Sequence, residues 1–397
     1  MLSNHQSNQV IGLCQRLVQI QSYSGKEKQV MEVIKEYTSQ NKFDEIITDV
    51  FGNVMLVING NEEGPTVLFD GHVDTVTVQE EDWTVDPFAA EIKDGKIYGR
   101  GTSDMKGAVS AMISAAINFA EETDRKFPGK IMISCTVHEE CFEGVATRKV
   151  SERLKPDYVV IGEATNLNLN RAQRGRAEIL VETFGKTAHS SNPEKGINAV
   201  NKMMHLLSHI QNLSVPEHDV LGKGILELTD IISSPYPGSS VVPSYCRVTF
   251  DRRLLVEETK ESVLAPIIGL IEKIKKTDKD FNAKVSYTTG EEKCYTNEII
   301  KSERFFPGWL FNENESFVEK SFNRIKKINP GAKISHYSFC TNGSHFAGEA
   351  NIPTIGFGPS PENLAHTDDE YIEIEQLTKA TEGYFEIMKA LTGLEGN

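Results

Sequence analysis

The stretch HEECFEG, residues 138–144, places a histidine and two adjacent carboxylates where an apolar run ends. Residues 131–137 (IMISCTV), which come directly before it, have the continuous apolar character of a buried strand. Neighbouring carboxylates such as Glu139 and Glu140 repel each other, so a metal ion, a cationic partner or water must compensate them. If that group is a metal ion, further imidazole or carboxylate ligands must come from other parts of the chain.

A second stretch, TVLFDGHVDTV, ends another predicted strand with Asp70, His72 and Asp74. The two-residue period of a strand puts His72 and Asp74 on one side. This spacing is typical of a metal ligand and of a carboxylate that accepts a hydrogen bond from the ring nitrogen that the metal does not use.

Three further stretches offer one ligand type each: Asp104 in YGRGTSDMKGA, Glu163 in YVVIGEAT and His366 in PENLAHTDDE. Taken singly, they fit a helix N-cap, a solvated loop carboxylate and a surface histidine. The glycine-rich loop before Asp104 is not a phosphate loop, because its glycine spacing and its Lys-Ser/Thr pair are wrong. Taken together, five stretches carry a histidine or a carboxylate at strand ends or helix starts, where open α/β sheets form their sites. Carboxylates and imidazoles without thiolates suit zinc, manganese or cobalt.

Alternating helices and strands must position these residues. Apolar spacing predicts helices over 27–40, 104–122 and 144–154, and strands over 53–58, 66–69, 131–137 and 158–161. Ser103 or Asp104 is predicted to cap the second of these helices. Continuous apolar strands between helices imply a sheet that is covered on both faces.

The middle of the chain has a different order of elements. Predicted strands over 177–184, 225–232, 245–250 and 284–289, with helices over 197–213 and 258–276, give β-α-β-β-α-β, the ferredoxin-like unit. A buried strand is then predicted over 352–358 and an amphipathic helix over 373–391, which is the pattern of the first part of the chain. We therefore expect a first domain made of residues 1–176 and 291–397, interrupted by a second domain of residues 177–290.

The bulk properties agree with two domains and exclude several functions. The chain has 397 residues, is 39% hydrophobic and 25% charged, and carries a formal net charge of −15. So acidic a protein disfavours nucleic acids and anionic membrane surfaces, and no apolar run is long enough to span a bilayer. Six cysteines are scattered without a Cys-x-x-Cys pair, which predicts reduced thiols rather than disulfides or a thiolate metal site. The first residues lack the pattern of a signal peptide, so we expect a cytoplasmic protein.

The motifs GHVDTV, GRGTSDMKG, HEE, GEAT, GKTAHSS and AHTDDE, in this order, resemble one known family over nearly the whole chain. It is the group of two-metal hydrolases that contains acetylornithine deacetylase, succinyl-diaminopimelate desuccinylase, aminoacylase and glutamate carboxypeptidase. The stretches RAQRGRAE and GSSVVPSYC are most similar to a peptidase subgroup found near genes for selenium-dependent purine and diamino-acid catabolism. The resemblance implies an α/β fold with two parts. One is a zinc-exopeptidase-like catalytic domain with a mixed sheet and helices on both faces; the other is an inserted α+β ferredoxin-like domain that serves as lid and dimerisation domain.

The resemblance also implies a ligand set, carried over residue by residue. His72 and Glu163 hold one metal ion, Glu140 and His366 hold the other, and Asp104 bridges both. The ions are expected to be zinc, with cobalt or manganese as alternatives, and to share a bridging water. The peptide bond that follows Asp104 is expected to be cis, as in the family.

Two more roles follow from the same resemblance. Glu139 matches the general base, which takes a proton from the attacking water and delivers it to the leaving nitrogen. Asp74 matches the residue that orients His72. Two divalent cations would compensate the repulsion between Glu139 and Glu140. His138 matches no functional position, and a packed or hydrogen-bonded histidine is expected there.

The predicted lid matches two substrate-binding positions of the family. His189 in GKTAHSS matches a histidine that crosses the dimer interface and donates to the substrate carbonyl oxygen. Arg253 in FDRRL matches an arginine that grips the substrate carboxylate, and its neighbour Arg252 is the alternative.

Weaker matches concern three other residues and a basic run. Asn198 in GINA lies near the substrate in this resemblance, or is a helix-surface amide. Gly343 and Ser344 in TNGSHF touch the substrate carboxylate, or form a plain turn. The run NRAQRGRAE (170–178) either selects a second anionic group or lines the hinge.

These matches predict hydrolysis of the amide bond of an N-acyl amino acid or a short peptide, by a homodimer that acts on a small molecule with a free carboxylate. A dipeptidase or exopeptidase acting on free N-termini is the alternative, because only the shape of the pocket distinguishes the two. The competing class is a non-catalytic relative that keeps the fold. Such a relative would lack the base or a ligand, and Glu139 and all five ligands are present.

Overall fold

The structure, a computed structural model, describes residues 1–394 of the chain. The α-helices in this range are α1 (Asn4–Val18), α2 (Lys28–Ser39), α3 (Gly107–Glu122), α4 (Thr147–Leu154), α5 (Ala199–Ile210), α6 (Lys260–Thr277), α7 (Ser316–Ile328) and α8 (Ile374–Thr392). The strands are β1 (Glu45–Thr48), β2 (Val54–Asn59), β3 (Glu62–His72), β4 (Ile92–Lys93), β5 (Lys96–Tyr98), β6 (Pro128–Thr136), β7 (Tyr158–Ile161), β8 (Leu169–Gln173), β9 (Gly175–Phe184), β10 (Glu217–His218), β11 (Gly222–Lys223), β12 (Ile225–Ser234), β13 (Tyr245–Leu254), β14 (Asn282–Tyr287), β15 (Thr289–Lys293), β16 (Ile299–Glu303), β17 (Phe305–Phe306), β18 (Trp309–Leu310), β19 (Ile334–Tyr337), β20 (Thr354–Gly356) and β21 (Tyr371–Glu373).

The chain forms two compact units. The main unit contains Met1–Gln173, Glu291–Ser302 and the chain from Trp309 onward, and the inserted unit contains Arg174–Gly290 and Glu303–Gly308. The predicted boundaries at 176 and 290 lie close to the first two changes between units. The prediction does not hold for residues 303–308, because β17 pairs with β9 of the inserted unit. The last three residues of the predicted segment 291–397 lie outside the described residues.

The main unit is built on a mixed sheet with the strand order β1-β2-β6-β3-β7-β20-β8-β18, and β19 also pairs with β8. Its centre is parallel: β3 runs parallel to β6 and to β7, and β7 runs parallel to β20. The carboxyl-terminal parts of these central strands are buried, as expected for a sheet with helices on both faces. The mixed α/β class expected from the sequence is confirmed.

Helices cover both faces of this sheet. On one face α1, α3 and α8 pack together, and Phe69 of β3 meets Tyr384 of α8 with ring centroids 5.9 Å apart. On the other face Leu68 packs with Val150 of α4 and with Phe346. The helix α3 is buried on every side from Gly107 to Ala120, which explains its mainly small and apolar sequence. None of the helices in the described residues is both long and apolar enough to cross a membrane.

The segment before α3 differs from the sequence prediction. The helix begins at Gly107, and Asp104 has extended dihedral angles, so neither Ser103 nor Asp104 is its N-cap. The Asp104–Met105 peptide bond is cis, as the resemblance implied.

The inserted unit is an antiparallel sheet with the strand order β12-β13-β9-β14, to which β17 is added beside β9. Its elements follow the predicted β-α-β-β-α-β order, and α5 and α6 pack over the sheet around a core that includes Val181, Met203 and Ile267. One edge of the sheet is β12, most of whose residues are exposed.

Candidate metal centre

The candidate ligands meet at one edge of the main sheet. The four neighbouring strands β6, β3, β7 and β20 are parallel, so their carboxyl ends lie together. His72 is the last residue of β3, while Glu140, Glu163 and His366 lie in the segments that follow β6, β7 and β20. Asp104 lies in the turn that leads into α3.

These five residues form two trios that share one carboxylate. His72, Asp104 and Glu163 make the first trio, and Asp104, Glu140 and His366 make the second; the ligand atoms of each trio lie within 4.8 Å of one another. Each oxygen of Asp104 serves one trio: Oδ1 is 3.0 Å from His72 Nε2, and Oδ2 is 3.1 Å from His366 Nε2. The structure therefore brings together all five predicted ligands in the predicted grouping.

The remaining distances complete the two trios. His72 Nε2 is 3.3 Å from Glu163 Oε1, and His366 Nε2 is 3.0 Å from Glu140 Oε2. The His72 side chain is only 1% exposed, whereas that of His366 is 53% exposed. The centre is thus buried in the sheet edge and open at His366.

The tautomer of His72 suits a metal ligand. Its Nδ1 lies 2.9 Å from the main-chain carbonyl oxygen of Asp74, which can only accept, so Nδ1 carries the proton and donates. The lone pair of Nε2 then faces the carboxylates of Asp104 and Glu163. Oxygen and nitrogen acceptors that face one another require a proton or a cation between them.

The family resemblance implied that the Asp74 carboxylate orients this ring. In the structure Asp74 Oδ1 is 3.7 Å from His72 Nδ1, which is too long for a hydrogen bond, and the main-chain carbonyl of Asp74 takes that place. The carboxylate accepts instead from the main-chain N–H groups of Glu139 (3.1 Å) and Glu140 (3.2 Å).

Two carboxylates at this centre also point to bound cations. Within the described residues, Glu139 Oε1 and Glu140 Oε1 are buried and have no hydrogen-bond partner. Buried unpaired carboxylate oxygens are costly, and divalent cations would compensate them. Imidazole nitrogens with carboxylate oxygens are the donor set of zinc, manganese and cobalt sites. The residues present therefore fit two divalent metal ions.

Burial and hydrogen bonds shift the pKa values of the residues at this centre. Burial raises the pKa of Glu140 to about 7 and raises the pKa of Glu139 well above its usual range. Hydrogen bonds to Asp104 and Glu140 raise the pKa of His366 to about 10. Burial alone would raise the pKa of Asp104, but the hydrogen bonds from His366 and His72 outweigh it and hold this pKa well below its usual range.

Glu370 is a further residue of the site that was not predicted from the sequence. It is fully buried, and its carboxylate accepts from the main-chain N–H groups of Gly101, Ser103 (2.7 Å) and Asp104 (3.1 Å). Arg100 Nη1, 2.7 Å from Glu370 Oε2, balances its charge. The only sequence signal was its place at the end of AHTDDE, four residues after His366.

Ser24 and Glu27 were also not predicted from the sequence, and His138 is a packed side chain. Ser24 Oγ donates to Asp74 Oδ2 at 2.8 Å, and Glu27 is fully buried beside the same turn. His138 is 1% exposed and packs edge-on against Phe142 with ring centroids 6.3 Å apart. This agrees with the packed histidine expected there.

The inserted unit carries the other candidate residues. His189 is exposed, and its Nδ1 accepts from the Ser191 main-chain N–H at 3.1 Å. Arg253 pairs with Asp251 at 2.7 Å and keeps 28% of its side chain exposed. Arg252 is buried and pairs with Glu258 at 2.5 Å.

Three candidates have structural contacts of their own. The Asn198 side-chain oxygen caps α5 by accepting from the main-chain N–H groups of residues 200 and 201. Gly343 and Ser344 are buried in the turn at the start of a short helical segment of the main unit. A side chain at Gly343 would lie 2.6 Å from Trp309 Nε1, so this position requires glycine.

The basic run 170–178 is held by protein partners. Arg171 donates to the carbonyl oxygen of Phe311 at 2.6 Å, and Arg174 donates to that of Leu221 at 2.7 Å. Arg176 forms an ion pair with Asp251 at 3.0 Å.

Comparisons with known proteins agree with the motifs. The model of peptidase family M20/M25/M40 matches residues 68–390. The uncharacterised protein YgeY of Escherichia coli K12 is 34% identical over 361 residues, which cover 89% of this chain and 87% of that protein. Succinyl-diaminopimelate desuccinylase 2 of a Ruegeria species is 26% identical over 398 residues, which cover 96% and 94%. Among solved structures, aminopeptidase PepT of Bacillus cereus has a TM-score of 0.75 at 22% identity, covering 97% of this chain and 98% of that one.

The predicted resemblance is confirmed by these matches, since the family model spans most of the chain and the similar proteins include a named desuccinylase. With two metal trios at the carboxyl edge of its central sheet, the chain belongs to peptidase family M20/M25/M40 and is a metallohydrolase of amide or peptide bonds.

Proposed function

We propose that this enzyme hydrolyses the amide bond of an N-acyl amino acid or a short peptide and releases an amino acid. The observation that carries the proposal is the pair of trios sharing Asp104, with the carboxylate of Glu139 beside them and outside both. That arrangement provides two cation sites and a separate base, which are the parts needed for hydrolysis by an activated water.

The trios would hold two divalent cations, which we propose to be zinc because each trio offers one imidazole and two carboxylates. Cobalt and manganese suit the same ligands. When bound, the cations supply Lewis acidity, which acidifies water and stabilises negative charge on a substrate carbonyl oxygen.

Glu139 would act as the general base and then as the general acid. Its Oε2 lies 3.9 Å from His72 Nε2, so the carboxylate stands at the centre without being a member of either trio. Burial raises its pKa, which makes it a stronger proton acceptor. It would take a proton from the attacking water and return it to the leaving nitrogen.

His189 would donate a hydrogen bond to the substrate carbonyl oxygen. Because its Nδ1 accepts from a main-chain N–H, the neutral ring carries its proton on Nε2. An exposed Nε2–H is the donor that this role needs, and one such donor is typically worth about 3–4 kcal/mol in the transition state.

Arg253 would bind the substrate carboxylate. Of the two adjacent arginines it is the more exposed, whereas Arg252 is tied to Glu258 inside the unit. Asn198 would contribute its side-chain N–H groups, since its oxygen is used as a helix cap. The contact of Gly343 and Ser344 with the carboxylate stays a prediction, because both are buried in this structure.

A substrate screen tests the proposal directly. Metal-free protein would be supplied with zinc, manganese or cobalt and assayed on N-acetyl and N-succinyl amino acids and on dipeptides with free or blocked N-termini. Activity on the blocked compounds supports a deacylase, and activity restricted to free N-termini supports the exopeptidase alternative. Failure to hydrolyse any amide with all three metals would refute the proposal.

Two variants separate the base from a ligand. Glu139→Gln should lower kcat by about 10²–10⁴-fold, because only proton transfer is lost, while metal content stays unchanged. Glu140→Gln should lower the metal content, because the second trio loses an oxygen. Loss of metal from the Glu139 variant alone would mean that the two roles are reversed.

We also propose a homodimer formed through the inserted unit. The edge strand β12 is ten residues long, and it exposes Ile231 (53%) and Ile232 (42%). A long exposed apolar edge strand favours pairing with a second copy. Light scattering should show that Ile231→Glu/Ile232→Glu is monomeric, whereas Ile268→Glu, an exposed position on α6 of the same unit, stays dimeric. Equal masses for the two variants would contradict this interface.

In this homodimer we propose that His189 acts in the site of the partner subunit. Neither His189→Ala nor Glu139→Ala should then be active alone. Co-refolding equal amounts should recover about a quarter of wild-type activity per total site, because half of the dimers are mixed and each has one intact site. No recovery in verified mixed dimers would refute action between subunits.

We propose a cytoplasmic location, supported by the buried thiols of Cys14 and Cys135, and cell fractionation tests it.

A further inference from the structure

The turn that carries the two glutamates gathers three consecutive main-chain N–H groups. His138 has a left-handed conformation with φ 56°, two residues after the end of β6. Successive N–H groups around such a residue converge and form a concave site for an anion. In this protein the carboxyl groups of two residues of the main unit, Glu27 and Asp74, occupy this site.

The contacts follow the chain in order. The N–H of His138 donates to Glu27 Oε1 at 3.4 Å, that of Glu139 to Asp74 Oδ1 at 3.1 Å, and that of Glu140 to Asp74 Oδ2 at 3.2 Å. Asp74 thus spans the general base and the ligand with its two oxygens, and Glu27 holds the residue before them.

Burial and further hydrogen bonds hold both carboxyl groups in place. Asp74 and Glu27 are fully buried. Asp74 Oδ2 also accepts from Ser24 Oγ at 2.8 Å, and Glu27 Oε1 accepts from the N–H of Gly25 at 2.8 Å. The loop that supplies Ser24 is joined to the end of β3, since the N–H of Thr75 donates to the carbonyl oxygen of residue 22 at 3.0 Å. These hydrogen bonds therefore fix the position of the turn relative to β3, the strand that carries His72.

We propose that Asp74, aided by Glu27, is a positioning residue for the Glu139–Glu140 pair and acts through the main chain of this turn rather than through His72. The ring of His72 depends on the carbonyl oxygen of Asp74, which a change of the side chain leaves in place. The proposal rests on the two-metal site of the proposed function, and its test separates the two.

The test measures Co²⁺ affinity in two backgrounds that each keep one trio. Glu163→Ala keeps Asp104, Glu140 and His366, whereas His366→Ala keeps His72, Asp104 and Glu163. Adding Asp74→Asn, an isosteric change that places an N–H donor against a main-chain N–H, should weaken Co²⁺ binding about 10–100-fold in the Glu163→Ala background. In the His366→Ala background it should change binding by less than about threefold.

The possible outcomes separate the explanations. The reverse pattern would show that Asp74 acts through His72, and equal losses would show a general structural effect; either overturns the proposal. Co²⁺ binding in neither background would overturn the two-metal site itself, and this proposal with it. Ser24→Ala removes only the hydroxyl that holds Asp74. It should also weaken Co²⁺ binding more in the Glu163→Ala background than in the His366→Ala background, but by a smaller factor than Asp74→Asn.

Two substitutions at His138 test whether the backbone conformation matters. Glycine adopts positive φ freely, whereas a β-branched residue resists it. In the Glu163→Ala background, His138→Gly should keep Co²⁺ affinity within about threefold and His138→Val should weaken it at least tenfold, with folding checked by circular dichroism. Equal weakening by glycine and valine would show that the ring acts instead of the turn, and would overturn this account.

Discussion

Proton competition at the second trio should make its metal affinity steeply dependent on pH. Hydrogen bonds to Asp104 and Glu140 raise the pKa of His366 to about 10, and burial raises the pKa of Glu140 to about 7. A metal ion must displace these protons before the nitrogen and the oxygen can bind it. Affinity therefore falls as pH falls, because more of the ligands are protonated.

The size of the effect follows from the number of protons displaced. Between pH 7 and pH 10 only His366 holds a proton that must leave, so affinity should rise about tenfold per pH unit. From pH 7.0 to pH 8.5 this is roughly 30-fold, or about 2 kcal/mol. Below pH 7 Glu140 is protonated as well, and the slope should steepen toward about a hundredfold per unit.

The assay is Co²⁺ titration of metal-free Glu163→Ala protein, which keeps only the second trio, in competition with a chelator. Calorimetry in buffers of different ionisation enthalpy counts the released protons; we expect about one per Co²⁺ at pH 8 and more than one at pH 6. The same protein with His205→Ala, an exposed position outside the centre, should give the same slope. An affinity that is flat from pH 7.0 to pH 8.5, with no proton release, would refute the reasoning.

Two further predictions concern the main unit. A methyl group at Gly358 would lie 2.3 Å from the carbonyl oxygen of Gly162 and 2.4 Å from that of Glu163, so Gly358→Ala should lower the free energy of unfolding by about 1–3 kcal/mol and weaken metal binding. Gly269→Ala, at an exposed position of α6 with open space, should instead raise it by about 0.5–1 kcal/mol; urea unfolding that ranks the two variants the other way would contradict this. Burial raises the pKa of the Cys14 thiol to about 12, so about one molecule in ten thousand carries the thiolate at pH 8. Mass spectrometry should find Cys14 unmodified by iodoacetamide until urea is added, and rapid labelling of the folded protein would show that the site opens.

The ligand set could be predicted because it depends on local pattern and sheet geometry. Apolar runs such as 158–161 marked the buried strands, and the predicted strand coincides with β7. Once strands of this kind are parallel neighbours, their carboxyl ends must meet, which brings His72 and Glu163 together. The motifs then separated the five ligands from the other acidic residues.

The parts that the sequence could not show depend on contacts between distant residues. The N-cap predicted before α3 is wrong because the chain is extended at Asp104 and the helix begins only at Gly107. Glu370, far along the chain, accepts the main-chain N–H groups of Ser103 and Asp104 in this extended segment. Residues 303–308 were assigned to the wrong domain because β17 pairs with β9, and a two-residue strand has no pattern of its own. The main-chain contacts of His138, Glu139 and Glu140 could not be predicted for the same reason, since their acceptors Glu27 and Asp74 lie elsewhere in the chain.

The strand that completes the centre of the main sheet is made late during synthesis. β20 lies between β7 and β8, both of which precede the inserted unit, and it begins at Thr354. On the ribosome it follows β7 by roughly 190 residues, a delay of about 10–40 s at ordinary elongation rates. During that interval the apolar edge of β7 has no neighbour on one side, although His72, Asp104 and Glu163 have already been made. A nascent chain that stops before Thr354 should therefore aggregate, and we expect the yield of enzyme in a cell to depend on chaperones that cover this edge until β20 arrives.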